Sequence, residues 1–270
     1  MSILSSIIAR APVGMKQGRA FLLGIAATLA LTLPAAAEPS HDQNSANNPL
    51  EPKAAIQMQD YVQPILSGLP WTGANQFYLR GVLPHDALGV KQLARASMPV
   101  VANAWGPENS WNGIGDLTIF DMAVVDFGKR RIGAGPLVVA PTASTPALGY
   151  GRWQLGVQTV MSMPHDWGLT SMLSAYQQSF DGVVKTLTLQ PLLFVNLADG
   201  YYLRSSGIAT FNLGLNSVVP VGLGLGRVFQ RPNGRVVNVF VEPQYSVVQT
   251  GIGVPSFQVF AGVNLQFPLR

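Results

Sequence analysis

The chain has no cysteine, and only 11% of its 270 residues are charged. Without a thiol there is no disulfide framework, no thiolate metal site, no nucleophilic cysteine and no lipobox cysteine for a lipid anchor. Ordinary soluble proteins carry roughly 25% charge. A chain with 48% apolar residues and this little charge is short of polar cover for a soluble surface, and fits one that hides a face in lipid. Histidine is scarce too: His41, His85 and His165 are the three present, too scattered along the chain for a metal site. After residue 37 no run reaches the roughly 18 apolar residues that a spanning helix requires.

The long apolar run that does exist is N-terminal. "MKQGRAFLLGIAATLALTLPAAAE" begins at Met15, with Lys16 and Arg19 ahead of an apolar run from Phe21 to Leu33 and small residues at Ala35-Ala36-Ala37. A basic, an apolar and a small-residue region in that order predict an export signal over residues 1–37, cleaved near Ala37. Met1 and Met15 both remain open as the start. Residues 1–37 hold three of the 17 bases and no acid, so 14 bases face 13 acids in the mature chain and net charge falls from +4 to +1. The basic balance belongs to the signal, and no nucleic-acid partner is expected. Residues 38–55, beginning "EPSHDQNSANNPLEPK", read as a flexible periplasmic leader.

From residue 56 onward the chain alternates. In Arg152–Ser162, Trp153, Leu155, Val157, Thr159 and Met161 share one face, while Gln154, Gly156, Gln158 and Ser162 share the other. Lys185–Leu197, Tyr201–Leu213, Val218–Gln230, Val236–Val248 and Ser256–Phe267 alternate in the same way. Noisier segments cover Gln76–Leu83, Gln92–Val101, Asp116–Phe127 and Ile132–Thr142, and Ile56–Leu66 is the candidate for the one further strand that closure needs. Period two means strand, and Ala198-Asp199-Gly200 between two of them means a hairpin. Short connections (Gly128-Lys129-Arg130, His165–Gly168, Ala198–Gly200, Arg231–Gly234) mostly alternate with longer ones (Asn103–Gly113, Ala143–Gly151, Phe180–Val184, Gly214–Ser217, Thr250–Gly253). Membrane barrels show this asymmetry, with short periplasmic turns and longer outer loops. Parity then predicts an all-β fold: a transmembrane antiparallel up-and-down barrel of about twelve strands over residues 56–270.

A family resemblance adds to this. "GIGDLTIFDMAV", "GAGPLVVAPTAS", "GRWQLGVQTV", "LQPLLFVNLADGYYLRSS", "VVPVGLGLGRVFQ", "VVNVFVEPQYSV" and "FAGVNLQFP" follow in an order that resembles outer-membrane proteins of the MetA-pathway-of-phenol-degradation type, some of them labelled neuromedin U. The resemblance covers roughly Ile56 to Pro268. It implies a twelve-stranded outer-membrane barrel in a Gram-negative bacterium, and transport of small, often aromatic, compounds. The close in "FPLR" departs from barrels that finish on an aromatic, so Phe267 is the residue expected to present the last strand to the barrel assembly machinery.

By phase, Arg80, Arg95, Asp116, Arg152, Gln190, Arg204, Glu242 and Gln244 point inward. In a channel such charges set the field that a solute meets; alternatively they pair across the lumen and brace it. "GLGLGR" (222–227) has no helix after it and fails the context test for a phosphate loop. Gly222, Gly224 and Gly226 point inward instead, either as lumen space or as small residues that let packing partners approach. Trp153, Tyr201, Phe211, Tyr245 and Phe267 read as interface girdles, and inward Tyr78, Phe194, Tyr202, Phe240 and Phe260 as candidates for an aromatic track. Arg227 is outward by phase and expected near the periplasmic end. His85 and His165 fall in turns with no serine spaced to pair with them. No catalytic residue, metal or cofactor is expected; the partners are outer-membrane lipid, the assembly machinery and a small-molecule solute. The expected function is a passive channel, with a sealed structural or surface-interaction barrel as the alternative.

Overall fold

The alternating segments form strands, each paired antiparallel with its neighbours. The computed structural model describes residues 41–87, 89–107, 109–231 and 233–268, so the signal and its cleavage site lie outside the described residues. After a short helix α1 (His41–Asn47) come β1 (Ala54–Leu66), β2 (Gly73–Ala87), β3 (Val90–Trp105), β4 (Ser110–Gly113), β5 (Leu117–Phe127), β6 (Arg130–Ala140), β7 (Gln154–His165) and β8 (Gly168–Ser179). The second half holds β9 (Lys185–Asn196), β10 (Tyr201–Ser205), β11 (Ala209–Asn212), β12 (Asn216–Gly222), β13 (Gly224–Gln230), β14 (Val236–Thr250) and β15 (Pro255–Phe267). β4 folds back on β3 inside a loop. β10 and β11 are halves of one stave and β12 and β13 of another, so the wall has twelve staves. It closes where β1 meets β15, from Ala54↔Phe267 to Leu66↔Pro255.

Which face is outside decides what the barrel is. On β7, Leu155, Val157 and Met161 are 51%, 48% and 46% exposed, while Gln154 and Ser162 are at 0%. A soluble sheet buries its leucines. Here the apolar set faces out and the polar set in, the arrangement that lipid demands. Among the described residues no helix is long and apolar enough to cross a membrane; the strands do the crossing, paired with one another around a closed wall.

The two ends differ. At one, tight turns join β2 to β3, β5 to β6, β7 to β8 and β9 to β10. The Ala198–Gly200 turn works because Asp199 (φ 55°) and Gly200 (φ 79°) occupy the left-handed region, which glycine tolerates freely and aspartate better than most residues. At the other end lie the long connections, 106–116 and 141–153 the largest.

Two features depart from the sequence expectation. First, the stave expected over Tyr201–Leu213 is interrupted at Ser206-Gly207-Ile208. Continuing the register places Pro191 opposite Gly207 and Pro220 opposite Ile208. Neither proline has an amide to donate, so the ladder lapses on both sides of the same three residues. Second, part of the expected flexible leader is ordered: residues 41–53 form α1 and a following turn that pack inside the short-turn end.

Candidate functional site

The N-terminal segment is polar because it must bond to wall carbonyls. Gln43 Nε2 donates to the carbonyls of Leu197 (3.1 Å) and Tyr201 (2.8 Å), and Asn44 Nδ2 to that of His165 (2.9 Å). From the opposite wall, Gln266 Nε2 donates to the Ala46 carbonyl (3.0 Å) and Asn238 Nδ2 to Asn47 Oδ1 (2.9 Å). Farther along, Arg131 donates to the Leu50 carbonyl (3.1 Å) and sits 3.8 Å from Glu51. The segment thus crosses the short-turn end from β7–β10 to β14–β15 and on to β6 before entering β1. Its composition resembles that of a disordered leader, yet Gln43, Asn44 and Asn47 each have a partner that only the closed barrel supplies.

Above this plug the inner wall is apolar to an extent the alternation did not reveal. One cluster joins Ala46 of the plug to Tyr61, Phe194, Tyr202, Phe240 and Phe260. A second joins Leu50 to Leu93, Phe120, Met122, Leu137 and Val160. Tyr61 stacks on Phe260 at 4.2 Å between centroids, and Phe240 meets Phe260 edge-on at 4.8 Å. All five inward aromatics picked out by phase lie in or against the first cluster. Tyr61 shares a face with Gln57 and Gln59 and was legible by the same rule, but its strand was inferred from closure and its faces were not sorted.

Inside that aromatic wall lies one ion pair. Arg204 Nε donates to Glu242 Oε2 at 2.8 Å, with the side chains 6% and 0% exposed. The guanidinium lies 3.6 Å from the Phe240 ring centroid, a close cation–π contact. Glu242 does more than neutralise it. Its Oε1 accepts from the Ser206 amide (2.7 Å) and from Gln244 Nε2 (2.9 Å), and its Oε2 from the Ser206 hydroxyl (2.6 Å). Gln190 Nε2 donates to the Ser206 carbonyl (2.9 Å). Ser206 sits in the proline-made gap, so two inward side chains replace the ladder partners it lacks. Gln258 Nε2 continues the chain to Gln244 Oε1 (2.5 Å). Ser206 and Gln258 are network members that sequence phase alone does not single out.

Two of the three glycines leave room for this network and the third for Tyr202. A Cβ at Gly222 would lie 2.6 Å from Gln244 Cγ, and one at Gly224 2.6 Å from Glu242 Cβ. At Gly226 it would run into the Tyr202 ring. Tyr202 donates to Asn238 (2.6 Å), which in turn holds Asn47 of the plug. Gly226→Ala is therefore expected to cost about 1–3 kcal/mol, the usual penalty of overpacking. It should also speed cleavage within residues 41–53 when the folded protein meets a protease in detergent. Unchanged cleavage would show that Tyr202 does not carry strain to the plug.

Two of the residues phased inward do other work. Asp116 precedes β5, and its carboxylate accepts from the Ala143 (3.1 Å) and Tyr150 (2.7 Å) amides, pinning the 141–153 loop. Arg152 precedes β7 and pairs with Asp181 across two loops, both about two-fifths exposed. Both tether loops, standing just beyond the strand ends where the alternation was extended to include them. Arg227 points outward by Tyr201 at the short-turn end, donating to the Asp199 carbonyl (3.2 Å). His165 stacks on Trp167 in a turn, and His85 bonds Asp121 (3.1 Å) on the outer face. Among the described residues no three His, Asp or Glu side chains gather as metal ligands.

No protein-family model matches the chain, and no curated protein does. Solved structures do. An outer membrane channel from Pseudomonas putida F1 superposes with a TM-score of 0.62 over 82% of this chain and 99% of its own, at 12% identity. The KdgM porin covers 80% and 99% at 13% identity, with a TM-score of 0.47. The first of these establishes the fold. This chain is a twelve-stranded transmembrane barrel of the outer-membrane kind.

Proposed function

We propose that the protein is a narrow outer-membrane channel through which small apolar or aromatic solutes diffuse, held shut at its periplasmic end by residues 41–53. One observation carries this reading: two clusters of aromatic and aliphatic side chains form an apolar part of the inner wall. A water-filled pore is lined by polar groups, whereas an apolar lining lowers the free energy of an apolar solute relative to water. Glu242 neutralises Arg204, so that pair adds no net charge to the wall. Movement follows the concentration gradient, with no energy source and no chemical step. The reading includes export by the N-terminal signal and insertion through the β15 end, and a mature N-terminus at Glu38, read by mass spectrometry, tests the first of these. The rival is a sealed barrel, favoured by the same Arg204–Glu242 network acting as a brace.

The two separate in cells whose outer membrane carries lipopolysaccharide. Cells making the protein are expected to take up a labelled aromatic solute such as toluene faster than cells without it. Equal uptake, joined to an absence of conductance steps in planar bilayers with or without residues 41–50, would leave the sealed barrel standing.

A further inference from the structure

Among the inward arginines, Arg131 and Arg204 have carboxylate partners and two have none. Arg80 on β2 and Arg95 on β3 are diagonal neighbours on the inner face, since Arg80 pairs in register with Ser97 and Val82 with Arg95. Diagonal partners of this kind lie within reach of a single small molecule. Among the described residues neither arginine makes a salt bridge, and the buried Nε of each has no hydrogen-bond acceptor. Arg80 donates one N–H to Gln59 and lies 4.6 Å over the Tyr78 ring; Arg95 lies 4.7 Å over Phe120.

The carboxylates of the neighbouring strands are committed elsewhere. Asp60 faces outward and bonds Asn75, Asp121 bonds His85 on the outer face, and Asp116 holds loop amides. Asp86 is four residues beyond Val82 toward the short-turn end, roughly 13 Å away at strand rise. Two adjacent like charges in an apolar wall are costly unless an anion joins them. Guanidinium forks match a carboxylate in bidentate geometry, and the aromatic rings beneath them offer a flat apolar bed.

We propose that Arg80 and Arg95 form a binding site for the carboxylate of a small organic anion whose apolar body lies against the aromatic wall. The proposal rests on the lumen being a solute path, which it deepens by naming a solute class, but binding is measured without transport. Isothermal titration of the detergent-solubilised full chain with benzoate, benzyl alcohol and inorganic phosphate tests it. Benzoate is expected to bind, and Arg80→Gln/Arg95→Gln to weaken it by about tenfold or more, as loss of charge-assisted hydrogen bonds does, with benzyl alcohol unaffected. Heat-dependent gel mobility shows that the variant is folded. Arg80→Lys/Arg95→Lys keeps the charge without the forks and should bind benzoate at intermediate strength. No benzoate binding, equal binding by wild type and the glutamine variant, or phosphate binding as tightly as benzoate would each overturn the site. If benzoate binds as expected while uptake and conductance fail, only the channel reading falls.

Discussion

Removal of residues 41–50 is expected to raise single-channel conductance in planar bilayers several-fold over the full chain. The plug closes the short-turn end by two kinds of contact. Amide side chains bond wall carbonyls and wall amides bond the plug, as Gln43, Asn44 and Gln266 do. Ala46 and Leu50 meanwhile cap the two apolar clusters, at 4% and 1% exposure. A buried leucine contributes roughly 1.5–3 kcal/mol, so Leu50 is the chief apolar anchor. Its loss would open the wall to water from below, leaving the aromatic belt around Arg204 as the second barrier. Leu50→Ala in the full chain should lie between the two, with more frequent openings of the same size as those of the deletion. Conductance and open probability identical in the full chain, the deletion and Leu50→Ala would mean that the plug does not gate, and that the belt alone seals the lumen.

The wall was legible in the sequence because lipid enforces alternation. Leu155, Val157 and Met161 must face out, and a one-residue slip would put Gln154 and Gln158 into the bilayer. The interior was less legible, since nothing requires an inward face to be uniform. Phe194, Phe240 and Phe260 share it with Asn196, Glu242 and Gln258, and phase alone does not say whether water or another side chain meets them. Arg204 and Glu242 lie on staves distant in sequence but joined through β13, and only the pairing of the staves brings them together. Pro191 and Pro220 were visible, yet each fits the alternation; their effect arises because the register sets them on either side of one tripeptide. The polar leader hides its role for a related reason. Gln43, Asn44 and Asn47 are disorder-like by composition and become ordered through carbonyls and amides at the stave ends.

The Arg204–Glu242 pair carries the second large effect. Glu242→Ala removes the counter-charge of a buried guanidinium, the acceptor of the Ser206 amide and hydroxyl, and a partner of Gln244, all at once. Breaking one side of a buried pair costs about 3–5 kcal/mol, and the orphaned Ser206 amide adds to this in a stave that already lacks ladder bonds. Urea unfolding in detergent, followed by tryptophan fluorescence, should show the loss, together with a lower temperature for the heat-dependent gel shift. Arg204→Met/Glu242→Leu separates charge from ladder repair. Apolar replacement of both partners restores an uncharged interior, and buried pairs replaced in this way are often neutral; here Ser206 still lacks its acceptor. The double variant should therefore recover most, not all, of the stability lost in Glu242→Ala. Full recovery would mean that Glu242 serves only as a counter-ion. No recovery would mean that closing the proline-made gap between β9 and β12–β13 is its main structural work.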